Sequence, residues 1–231
     1  MKPAILLLHG FGGTPDELTH LRDRITTEGF TVRDPLLPGH GEGRAGLHRS
    51  RATVWLDGAR EALTTLAEES DRIWVIGFSM GGLLAAHLAE HDAVERLVLI
   101  NTPVYYWNAR VILADVGHAL RRRKWERMRY YRRAVGRVSA RACVDFLRLL
   151  QRGKRQFAVV ECPTLILQCR RDEVVRPCSA AYIHVRIPGS QLRYFVGGRH
   201  QFAEEANEQR DAMCDAVMEF LLTGEERCAL R

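Results

Sequence analysis

Short, nearly unbroken apolar runs alternate along this chain with longer stretches in which apolar residues recur every three to four positions. The runs at 3–8, 31–36, 72–77, 94–100, 164–169 and 192–196 are rich in Val, Ile and Leu and read as strands, mostly covered by helices on both faces. Between them lie helical stripes. Thr14-Pro15-Asp16-Glu17 offers an N-cap, a proline for the first turn and a capping-box glutamate, followed by Leu18, Leu21 and Ile25 on one face and Gly29 as a stop. A second stripe, Trp55, Ala59, Ala62 and Leu66, follows a cap expected at Thr53, and further helices are predicted over 80–90 and 205–222. Strand and helix in alternation predict an α/β fold of about six mostly parallel strands flanked by helices.

The alternation breaks once. From about residue 103 to 160 there is helical patterning rich in Arg and aromatic residues and no strand signal. Such a long connection predicts a small helical cap (103–160) inserted in a core made of 1–102 and 161–231, lying over the carboxyl ends of the strands. A chain of 231 residues, 46% apolar, has enough material for one such core.

Charge singles out the same segment. It holds 15 Lys/Arg against 3 Asp/Glu, whereas the rest of the chain holds 19 against 25. Within it, residues 121–133 carry eight basic side chains and one acid, interleaved with Trp125, Tyr130 and Tyr131. Two readings stand for that patch: a solvated helix paired with the acidic body, or a face that docks on an anionic membrane surface. Nucleic acid is not an expected partner, because no recognised fold for it accompanies the patch. No apolar run approaches the roughly 20 residues of a membrane span, and the opening run is too short for a signal peptide, so a cytoplasmic protein is expected. Cys143, Cys162, Cys169, Cys178, Cys214 and Cys228 form no C-x-x-C pair and are expected as plain thiols.

The candidate chemistry begins at Gly77-Phe78-Ser79-Met80-Gly81. A bare G-x-S-x-G recurs by chance in about one chain in ten of this length. Here it directly follows a strand and opens a small-residue helix, the context a nucleophile elbow requires. Ser79 needs a base, and His200, after the last strand and the flexible Gly197-Gly198-Arg199, is the candidate. The base needs an orienting carboxylate. Asp172, just past the fifth strand, is the candidate, with its neighbour Glu173 as competitor. Oxyanion donors are expected from the backbone amides of Phe11, in His9-Gly10-Phe11-Gly12-Gly13, and of Met80, with the His9 imidazole a scaffold that bonds backbone. No G-K-[ST] follows those glycines, which argues against a phosphate cradle. Tyr105, Tyr106 and Trp107, just past the fourth strand, are candidates for lining a substrate pocket, with core packing as the alternative.

These motifs, together with Pro38-Gly39-His40-Gly41, Asn101-Thr102-Pro103 and Arg171-Asp172-Glu173, resemble those of small bacterial carboxylesterases and monoacylglycerol-lipase-like members of the α/β-hydrolase superfamily. The resemblance spans nearly the whole chain. It implies the six-stranded core with a small cap, no cofactor and no metal, and hydrolysis of short- to medium-chain acyl esters or monoacylglycerols through an acyl-enzyme. Ser79 takes the nucleophile's role in it, Asp172 the acid's and His200 the base's. Thioesters and lactones suit the same machinery, and a binding protein that holds an anionic partner on the basic segment is the reading from another class. Two features depart from the pattern: the strongly basic insertion, and Arg199, a cation beside the base that is expected either to steer anionic substrates or to face water.

Overall fold

The computed structural model describes residues 2–107, 117, 121, 136, 138–202 and 209–229, with side chains through residue 223. Six parallel strands form one sheet: β1 (Ala4–Leu8), β2 (Val32–Arg33), β3 (Ile73–Phe78), β4 (Val94–Ile100), β5 (Thr164–Cys169) and β6 (Gln191–Phe195), in the order β2-β1-β3-β4-β5-β6. The chain starts at β1, steps outward to β2, then crosses back over β1 to β3 and proceeds in one direction. Connections therefore leave the carboxyl ends of β1 and β3 in opposite senses, which opens a crevice between those two neighbours.

Seven described helices cover the sheet: α1 (Thr19–Thr27), α2 (Gly43–Arg49), α3 (Ala52–Glu69), α4 (Met80–Leu88), α5 (Ala140–Gln156), α6 (Cys178–Arg186) and α7 (Arg210–Ala229). Because successive strand residues point to opposite faces, each strand feeds two cores. Leu6, Leu8, Val75, Leu97 and Leu99 pack with α3, α4 and α5, while Ile5, Leu7, Trp74, Ile76 and Val98 pack with α1 and α7. The expected stripe on α3 is buried in full, and Trp55 alone, wholly inaccessible, contributes on the order of 2–3 kcal/mol.

Several local expectations shift. β2 shrinks to two residues ahead of Pro35, which has no N–H for the ladder, and at Leu37 the N–H goes to the His9 ring just past β1. Thr14 makes no capping bond, and α1 is entered through a 3-10 turn, Pro15–Leu18. Glu17 is not a capping-box residue either, since its carboxylate accepts from the Gly10 N–H at 2.9 Å. α3 begins at Ala52 with Arg51 at its cap, so Thr53 lies inside the first turn. α2 and α6 were not anticipated. The last helix starts at Arg210, and residues 205–208 of its expected span lie outside the described residues.

The segment expected as a cap divides. Its second half is α5, which buries Ala142, Phe146, Leu149 and Leu150 against the body of the protein. At Gly153 a Cβ would stand 2.8 Å from Leu83 Cδ2, so α5 packs directly on the Leu83 side chain of α4. Of the basic stretch 121–133, only Arg121 is among the described residues, where it is exposed. Among the described residues no helix is long and apolar enough to cross a membrane.

Candidate active site

The turn from β3 into α4 carries Ser79 at φ 51°, ψ −117°, a left-handed conformation that costs a non-glycine residue about 1–3 kcal/mol. Its neighbours make the turn possible. A Cβ at Gly77 would collide with the Gly81 carbonyl, and one at Gly81 would collide with the Leu8 carbonyl at the end of β1. The Ser79 N–H donates to the Ile100 carbonyl at 2.8 Å, which fixes the turn to the end of β4.

Three of the predicted side chains meet. Ser79 Oγ lies 3.1 Å from His200 Nε2, and His200 Nδ1 lies 2.8 Å from Asp172 Oδ2. Asp172 is wholly buried, and its second oxygen accepts from the N–H groups of Val174 and Val175 at 2.8 and 2.7 Å. Those bonds fix the carboxylate, so the ring must donate Nδ1–H to it and leave the Nε2 lone pair facing the serine hydroxyl. Burial opposes a charge on His200, but the charge and hydrogen bond of Asp172, then Glu173 and Glu17, outweigh it and hold its pKa above the usual 6.5. Ser79 and His200 are each 6% exposed.

The first loop is built from the β1 side of the crevice. Leu8 pairs with Gly77, so the chain leaving β1 runs beside the serine turn. The Gly10 N–H is taken by Glu17, which leaves Phe11 as the next amide along. Met80 opens α4, where the first N–H groups have no acceptor within the helix. His9 donates from Nδ1 to the Gly10 carbonyl at 2.9 Å and accepts the Leu37 N–H at Nε2, 3.1 Å. Burial lowers its pKa to about 4, so the ring is neutral and tied to backbone. His40 packs edge-on to it, 5.0 Å between centroids, and is likewise pushed to about 4, first by burial and then by His9.

The three aromatic candidates part company. Tyr105 faces α6, edge-on to Tyr182 and with its N–H donated to Ser179 Oγ, and Trp107 is half exposed. Tyr106 packs on Phe146 at 5.4 Å, and Phe146 stacks on Phe11 at 5.0 Å and 14°. Phe146 was missed in the sequence. The stripe Ala142, Phe146, Leu149, Leu150, Gly153 held the signal, masked by the arginines around it.

Two more residues join His200: Asn101, read in the sequence only as part of a motif, and Glu173, expected there only as the competitor of Asp172. Asn101, at φ 47°, accepts the Cys169 N–H at 2.9 Å and donates its amide to the carbonyls of His200 and Arg199 at 3.2 and 3.4 Å. Glu173 approaches the backbone N–H of His200 and leaves the ring to Asp172. Arg199 is turned toward Glu173, its Nη1 3.9 Å from Oε2, with only 23% of its side chain exposed.

The sequence profile of the Alpha/beta hydrolase family matches residues 5–216, over all but the first residue of the sheet and every residue of this site. The chain belongs to that family. Among its relatives are a thermostable monoacylglycerol lipase of Bacillus sp. (strain H-257), 28% identical over 198 residues that cover 81% of this chain and 77% of that protein, and a carboxylesterase of Bacillus subtilis (strain 168), 22% identical over 227 residues covering 94% and 92%. Of solved structures, the monoacylglycerol lipase of Paleococcus ferrophilus superposes with a TM-score of 0.73 at 18% identity, over 96% of both chains, and shares the fold.

Proposed function

We propose that this member of the alpha/beta hydrolase family hydrolyses carboxylic esters through an acyl-enzyme on Ser79. The observation that carries the reading is the unbroken line from Ser79 Oγ through the His200 ring to the buried Asp172. As Ser79 attacks the ester carbonyl, its proton passes to His200 Nε2, and Asp172 stabilises the imidazolium that forms. The amides of Phe11 and Met80, the latter at the positive end of α4, receive the oxyanion. His200 returns the proton to the leaving alcohol, and water then repeats the sequence to free the acid.

The names of the two Bacillus relatives support esters of short to medium acyl chains or monoacylglycerols as substrates. We infer that the acyl group packs against Phe11, Phe146 and Tyr106, rings in contact with one another through Phe146 and reached from the loop that carries the Phe11 amide. The cap is proposed with a tighter limit than its sequence span: α5 belongs with the core, so an insertion covers at most residues 103–139.

Labelling with a fluorophosphonate, run beside hydrolysis of p-nitrophenyl esters of increasing chain length, tests the reading. Wild type should label and turn over, and Ser79→Ala should do neither. A wild-type protein that neither labels nor cleaves any ester, thioester or lactone would overturn it.

A further inference from the structure

A second carboxylate is buried next to the catalytic line. Glu173 is 1% exposed, and its Oε2 lies 3.4 Å from the His200 N–H and 3.9 Å from Arg199 Nη1. Its Oε1 has no hydrogen-bond partner among the described residues. Leaving an acid half satisfied in the interior costs folding free energy that an amide or an apolar side chain would avoid. A compensating interaction is therefore required, and the cations at hand are Arg199 and, during turnover only, His200. An attraction that exists only while the ring is charged lowers the barrier without tightening the ground state.

We propose that Glu173, paired with Arg199 and bonded to the backbone of His200, is a positioning residue that stabilises the imidazolium of the base. The inference rests on the Ser79, His200, Asp172 reading given above. The groups facing the ring are Asp172 and Glu173 from the loop after β5, Glu17 from the turn before α1, and Ser79 from the turn after β3. Arg199 acts through Glu173. Burial, the largest cause, together with the Asp172 charge raises the Glu173 pKa above the usual carboxylate value, while His200 and, less, Arg199 favour the carboxylate. Asp172 fixes the ring through Nδ1, and Glu173 fixes the main chain that carries it, so the two acids hold the base from different sides.

The test is the pH profile of kcat/KM for Glu173→Gln, which keeps the shape and an acceptor for the His200 N–H but removes the charge. The acid limb should move to lower pH by about half a unit or more, and kcat should fall roughly tenfold with KM little changed. A role confined to packing would lower stability and leave the limb in place. Should Glu173→Gln fail to fold, Glu173→Asp, whose carboxylate is drawn back by one methylene, serves in the same measurement and should shift the limb in the same direction. A limb that coincides with wild type in the folded variant overturns the proposal, while fluorophosphonate labelling of the wild type keeps the hydrolase reading intact. A wild type that does not label overturns both.

Discussion

His200 Nε2 and Ser79 Oγ stand 3.1 Å apart although 121 positions of sequence separate them. The sheet order brings them together. β3 delivers the serine at its carboxyl end, and β6 returns the chain to the same edge two strands beyond β4, within reach of a short glycine loop.

The serine turn should be strained by its own side chain. Ser79→Gly removes the penalty of φ 51° together with the nucleophile, so it should be inactive yet about 1 kcal/mol more stable than Ser79→Ala. Urea unfolding of the two variants gives the comparison, and equal midpoints would contradict the strained assignment.

Asn101 ties three chain segments through one amide. Asn101→Asp keeps the size but loses the donors and sets a carboxylate against the carbonyls of Arg199 and His200. We expect a loss of about 2–3 kcal/mol of stability and a fall of ten- to a hundredfold in kcat/KM. Denaturant titration and steady-state kinetics measure the two effects separately.

Two different pH effects are expected. On the proposed mechanism activity requires neutral His200, whose pKa is raised, so the acid limb of kcat/KM should have its midpoint above 6.5. The same raised value means that the ring's contribution to stability is full below 6.5 and is lost as pH rises through the folded pKa. His9 and His40 act in the opposite sense. Both are buried neutral with pKa values near 4, so unfolding takes up protons as pH falls from 6.5 toward 4. Stability should decline over that window by up to about 3 kcal/mol for each ring, and His40→Gln should flatten the slope in urea titrations at pH 7 and 4.5.

Phe146 joins α5 to the loop that carries Phe11. Phe146→Ala should cost about 3–4 kcal/mol and displace the optimum of an acyl-chain series toward longer chains, because the void opens between Phe11 and Tyr106, which both pack on that ring. An unchanged chain-length profile would move the acyl pocket elsewhere.

Much of the sheet was legible because β1, β3 and β5 are buried on both faces and so show as largely apolar runs. Ser79, Asp172 and His200 were legible for another reason: each follows an expected strand directly or through a short loop. β2 was overread because Pro35 outweighs the apolar residues around it. Glu17 was misassigned because a capping box and a bond to a distant amide place the same residue at the same spacing, and only the folded loop tells them apart. Asn101 and Glu173 act on backbone groups of residues 199 and 200, and partners of that kind leave no pattern of residue types.

The tight seat of Gly81 against the carbonyl of Leu8 reaches beyond local sterics. On the proposed reading, the Ser79 hydroxyl and the Phe11 and Met80 amides share one wall, so neither can shift without dragging the other. A lineage or an engineer seeking new substrates is thereby confined to the surfaces that roof the crevice, while the cutting edge stays a single rigid casting.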